Sequence, residues 1–330
     1  MPDPLLYLKS MTLAAIISAI VVLVMATVKR PAGTTRLNVA CVLALAGGIA
    51  VGQFVLTTRV LWPPLNGLDR FLTIVIPAVL GIELFTSFAS TAPRVAWFLR
   101  LSLATAIPRI LLHGSVYLND QNAWSAWQGI AILVASGLTL IILWVLLNWL
   151  SRRSDTDVSI ALSLALATHC AGISIMMAGY LKGGAAAFPL AAALLATSLA
   201  RLASKHGTPA LIGIGVVNLF GVVFIGCFFG RLPIAYALPL LLAPLLCWIT
   251  ELPGMRTRTH RSVATIRLIL VTIPVIVVLV LVKRDFDRTM RPLLNSASSN
   301  PAVAASTSTR PVSPRAAWSF VVLKVQSAYE

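Results

Sequence analysis

Acidic residues are the scarcest chemistry in this 330-residue chain, which has ten Asp and Glu against 26 Lys and Arg, with charged residues only 11% of the total. A water-soluble domain carries about a quarter charged residues, and polar groups must cover its surface whatever its size. With 58% hydrophobic residues and a mean hydropathy of +0.91, this composition cannot cover itself against water. The shortage of acids also disfavours two-metal phosphoryl chemistry, which draws on several carboxylates. The surface pair Asp155 and Asp157 is the nearest approach to a cluster.

Cysteine is nearly as scarce. Cys41, Cys170, Cys227 and Cys247 each lie inside an apolar run, and none has CxxC spacing. Each reads as a small hydrophobe, so no disulfide and no metal or redox pair is expected. HExxH, Walker-loop and EF-hand patterns are missing, and no serine has nucleophile-elbow spacing. No catalytic residue, cofactor or metal is therefore assigned, and an enzyme is the less favoured reading.

Long apolar runs fill the chain, at about 10–28, 37–57, 71–90, 95–117, 125–150, 158–181, 185–203, 209–230, 232–250 and 263–282. A helix needs roughly 17–25 mainly apolar residues to cross the hydrocarbon layer, whereas a membrane β-barrel shows alternating segments of about ten. The expected fold is all-α, a polytopic transmembrane helix bundle of about ten spans (range 8–10). The first run passes without a small-x-small cleavage pattern into Lys29-Arg30-Pro31, which reads as an uncleaved first helix. The fourth, with Arg100, Pro108, Arg109 and His113, reads as tilted, kinked or partly re-entrant, and the seventh is alanine-rich and only weakly hydrophobic.

The formal charge of +16 is concentrated in the gaps between runs, as at Arg152-Arg153 and at Arg256, Arg258 and Arg261. That placement suits anchors for anionic lipid headgroups, and nucleic acid is not an expected partner. A protein partner or a homo-oligomer is left open, and the expected location is the cell membrane. Orientation is not decided by charge, because ten spans put eleven Lys and Arg in the loops of one side and nine in those of the other. Residues 1–283 form the transmembrane domain in this reading. Residues 284–330 form a polar, mostly disordered tail, since Asn295–Pro314 is rich in Ser, Thr, Ala and Pro. No internal repeat stands above the similarity that any two apolar sequences share.

Ionisable groups inside a span are costly and mark candidate sites. Glu83 is the only acid well within a run, with Ser87 and Ser90 on its face. Counting at 1.5 Å per residue from a turn near Thr91-Ala92 puts Glu83 and Arg100 at equal depth, roughly 12 Å from the surface, on antiparallel neighbours. An ion pair between them is expected. Ser102, Thr105, Arg109 and His113 share another face, half a turn away from Arg100, and either line a wet cavity for an anion or leave Arg109 to snorkel or to cap carbonyls freed by Pro108. His169, between Ala165, Gly172 and Met176, faces protein and either relays protons, binds a metal or makes one interhelical hydrogen bond. Asn218 lies within the eighth run near Gly215 and Gly226.

Glu83, Arg100, Arg109, His113, His169 and Asn218 thus form the candidate intramembrane polar site. Three functions stay open: a transporter or permease, a structural or assembly subunit, and a membrane-embedded enzyme acting on lipid.

Overall fold

The computed structural model describes residues 4–27, 34–56, 63–88, 93–119, 124–153, 157–201, 209–252 and 260–298. Every regular element among them is helical. The order is α1 (Pro4–Thr27), α2 (Thr34–Val55), α3 (Gly67–Arg70), a π turn (Phe71–Val75) and α4 (Ile76–Phe88). Then come α5 (Pro93–Leu112), the single-turn α6 (Val116–Asn119), α7 (Ala126–Arg153), α8 (Asp157–Met177), α9 (Leu181–Ala200) and α10 (Pro209–Phe229). The chain continues through α11 (Ile234–Leu242), a 3-10 segment (Ala243–Glu251) and α12 (His260–Ser298).

Nine helical stretches among the described residues are long and apolar enough to cross a membrane. The third apolar run is helical as well, continuously from Gly67 to Phe88, with the π turn set between α3 and α4. The protein is a multi-pass integral membrane protein. Its outer helices confirm this physically, because they turn large apolar side chains outward. On α7 these are Ile130, Val134, Leu138, Ile142, Val145 and Trp149, and on α12 they include Ile269, Ile273, Ile276 and Val280. In water so continuous an apolar surface would be a liability; in a bilayer it is the lipid contact. At the end of α7 the Arg153 guanidinium lies 3.8 Å over the Trp149 ring, an arrangement suited to the membrane–water interface.

Helices α1 and α2 run antiparallel. Ser10 on α1 donates to the Gly52 carbonyl of α2 at 2.8 Å, and Ser18 to that of Ala44 at 2.9 Å. Small residues bring the backbones together. A side chain at Gly48 would overlap Ser18, and one at Gly52 would meet Ala14 of α1 and Pro189 of α9. A Cβ at Gly172 of α8 would lie 2.7 Å from that of Ala187 on α9. The alanine-rich seventh run, weak on hydropathy, becomes α9, which is almost wholly buried between α1, α2 and α8. It needs little lipophilicity because it meets protein rather than lipid. Helix α10, buried on every side, is the bundle's centre.

One expectation requires correction, and other spans gain detail. The fourth run is one full helix, α5, with Pro108 inside it, and is not re-entrant. The ninth run divides after Leu242 into α-helix and 3-10 helix, with Pro239 and Pro244 flanking the change. Helix α12 runs through to Ser298. The remainder of the tail, with Trp318–Val325, lies outside the described residues.

Candidate functional site

The face on which α1 begins is called the first face here, and the face on which it ends the second. Glu83 lies five residues before the end of α4 and Arg100 seven residues after the start of α5, so both sit about 8–10 Å below the second face. Their side chains form a two-point ion pair. Arg100 Nε donates to Glu83 Oε1 at 2.8 Å, and Nη2 donates to Oε2 at 2.7 Å. Glu83 is fully buried and Arg100 nearly so, with its guanidinium 5.6 Å from the centroid of the Trp97 ring. The planar fork of arginine matches both carboxylate oxygens, the geometry in which a buried pair best offsets its desolvation. Ser87 and Thr86 donate to the Glu83 backbone carbonyl. Ser90 lies outside the described residues.

Helix α10 makes room for this pair. A Cβ at Gly213 would lie 2.5 Å from Glu83 Oε1 and 3.1 Å from the Trp144 ring of α7. Two turns on, a Cβ at Gly221 would fall on the Phe71 ring of the π turn. Glu83 and Phe71 therefore bracket one seam between α4 and α10, the first toward the second face and the other toward the first face.

Asn218 lies on α10 between these two glycines, nine residues after Pro209 and eleven before Phe229, at about mid-membrane depth. It has no exposure, and both Oδ1 and Nδ2 lack a hydrogen-bond partner. At 100° per residue its direction falls between that of Gly221, toward Phe71, and that of Gly215, toward Leu164 and Leu194. Among the described residues no other buried side chain has two orphaned polar atoms. Closer to the first face, Asp69 of α3 has one buried carboxylate oxygen, Oδ2, without a partner.

The stripe on α5 does not reach the interior. Ser102, Thr105, Arg109 and His113 are exposed, because Leu103, Ala104, Ile107, Pro108 and Leu111 turn the opposite face inward. The wet-cavity reading of Arg109 is thereby corrected. Its position three residues before the end of α5 suits a side chain reaching the headgroup layer. His169 is half-buried with its ring 5.2 Å from that of Phe188 on α9, so it does face protein. The structure joins Glu83 to Arg100 and places neither Arg109 nor His113 with them.

A second ion pair, between a buried arginine and a part-buried glutamate, escapes hydropathy reasoning. Arg267, seven residues into α12 and without exposure, donates to Glu251 Oε1 at 2.8 Å, to Thr250 Oγ1 at 2.8 Å and to Ser159 Oγ at 3.2 Å. The signal was an acid at the end of one run and an arginine 16 residues later, matching the 17 that separate Glu83 and Arg100. Arg201, buried at the C-terminus of α9, has Nη1 3.8 Å from Cys41 Sγ and sits where the helix dipole favours a cation. No group of three or more His, Cys, Asp or Glu suited to a metal occurs among the described residues. No protein family and no curated protein matches this chain, so its function is read from the seam between α4 and α10.

Proposed function

We propose that this multi-pass protein is permease-like and that the seam between α4 and α10 is its path, with Asn218 as the polar position at mid-membrane. The observation that carries the reading is the fully buried Asn218 carboxamide with neither end satisfied. Burying an amide without a hydrogen bond costs several kcal/mol in an apolar medium, and a residue of that kind needs an account beyond packing. Transporter sites lie near the bilayer midplane, and the π turn beside Gly221, on the first-face side, is the kind of local irregularity often found at functional sites. In this reading Glu83–Arg100 closes the seam toward the second face, and basic loops anchor the bundle to anionic headgroups of the cell membrane.

Flux into proteoliposomes tests the proposal. Wild type is expected to carry at least one member of a panel of small neutral and charged solutes about tenfold faster than protein-free liposomes, and Asn218→Leu is expected to abolish that flux while remaining folded. No transported member, or full flux through Asn218→Leu, contradicts it.

A structural or assembly role is the second reading, and the likeness of the two ion pairs favours it. Each ties the end of one helical segment to the second turn of the next, which is how a pair fixes helix register.

A further inference from the structure

We propose that Phe71 is a plug between the first face and Asn218, and that the occupant of the Asn218 position is a small neutral group offering both a hydrogen-bond donor and an acceptor. The inference deepens the permease reading and rests on it. The route follows from register. Antiparallel packing sets Phe71 against Gly221 and Glu83 against Gly213; Asn218 lies between them in depth, and on α10 its direction is about 60° from that of Gly221 toward Phe71 and about 140° from that of Gly213. Phe71 is fully buried and lies only four residues into the helical run that begins at Gly67, on the first-face side of Asn218.

The π turn that begins at Phe71 supplies the motion. A π turn holds one residue more than an α turn. Its return to α geometry rotates the segment before it by about 100°, which carries the Phe71 ring out of the Gly221 notch. The Glu83 end stays closed by its two-point pair with Arg100 while the Phe71 end opens.

The chemistry of the occupant follows from the amide. Its Nδ2 donates, its Oδ1 accepts, and both are free. The charges at the end of the seam neutralise each other, so an ion at Asn218 would have no counter-charge and would carry its full desolvation cost. A neutral donor–acceptor group satisfies both ends at once. The space released is that of one phenyl ring, which limits the occupant to a few heavy atoms.

Two measurements on full-length protein in liposomes test this. In a background with the four native cysteines replaced by alanine, Asn218→Cys is labelled with iodoacetamide, itself small, neutral and amide-bearing. Labelling is expected to rise at least about tenfold when Phe71→Ala or Gly221→Ala is added. At the buried control Val216→Cys, on another face of α10, it is expected to stay unchanged. Equal labelling with and without the plug, or an equal rise at the control, overturns the proposal. In the flux panel, urea or glycerol is expected to move and potassium chloride not; salt flux equal to that of the neutral solutes overturns the assignment of a neutral occupant. Labelling needs no transported solute, so gated labelling without flux removes the permease reading alone, while flux with ungated labelling removes the plug alone.

Discussion

Glu83 and Arg100, 17 residues apart in the chain, meet in the buried core with both carboxylate oxygens engaged by one guanidinium, at 2.8 Å and 2.7 Å. The connection between α4 and α5 is thereby clipped at a fixed depth below the second face. Removing either partner leaves an uncompensated charge or forces protonation, and breaking a buried pair this way costs about 3–5 kcal/mol. Glu83→Gln and Arg100→Gln are each expected to lower unfolding stability by that order. The double variant Glu83→Gln/Arg100→Gln is expected to lose less than the sum, because neither charge is then stranded. A double-mutant cycle in detergent checks this, and simple additivity would mean the two groups are not coupled.

Gly213→Ala is expected to destabilise by about 1–3 kcal/mol, the range for overpacking, since the added Cβ falls 2.5 Å from Glu83 Oε1. Gly81→Ala has nothing within 4 Å of the new Cβ and lies exposed on α4. It is expected to be neutral or to gain a few tenths of a kcal/mol from helix propensity. Thermal unfolding of the two variants side by side separates a glycine needed by its neighbour from one that is not.

Much of this pairing was legible before any coordinates, because depth is a matter of counting residues from a turn. Equal depth on antiparallel helices brought Glu83 to Arg100, and the 100° step turned Arg109 the other way. Which face of α5 meets protein was not legible, since both faces carry enough apolar residues to pass in lipid. The polar stripe of Ser102, Thr105, Arg109 and His113 consequently went outward. Arg267 was hidden by its own surroundings: one arginine four residues into a strongly apolar run hardly alters its mean hydropathy. The π turn leaves no mark on composition, and the burial of α9 depends on its neighbours rather than on its own alanines.

Arg267 donates to three side chains from two elements, the 3-10 segment and α8, and that fork cannot be copied by an ammonium group. Arg267→Lys is expected to recover little of the loss caused by Arg267→Met, with both variants several kcal/mol less stable than wild type. Unfolding of the purified variants reads this directly; full rescue by lysine would show that charge alone matters at the position.

Arg109→Ala is expected to change stability by no more than about 0.5 kcal/mol, as for an exposed side chain away from buried networks. Its contrast with Arg100→Gln in the same assay separates an arginine at the interface from one in the core.

The most direct test of the account is the unfolding stability of Asn218→Leu. A side chain kept for packing would lower stability when replaced. An orphaned amide retained for what it binds should instead leave the bundle more stable once it is gone, by about 1–3 kcal/mol, the penalty of an unsatisfied buried group. The account predicts that gain. A loss of comparable size in Asn218→Leu would show that Asn218 holds the fold together, and would contradict the assignment of the α4–α10 seam as the site.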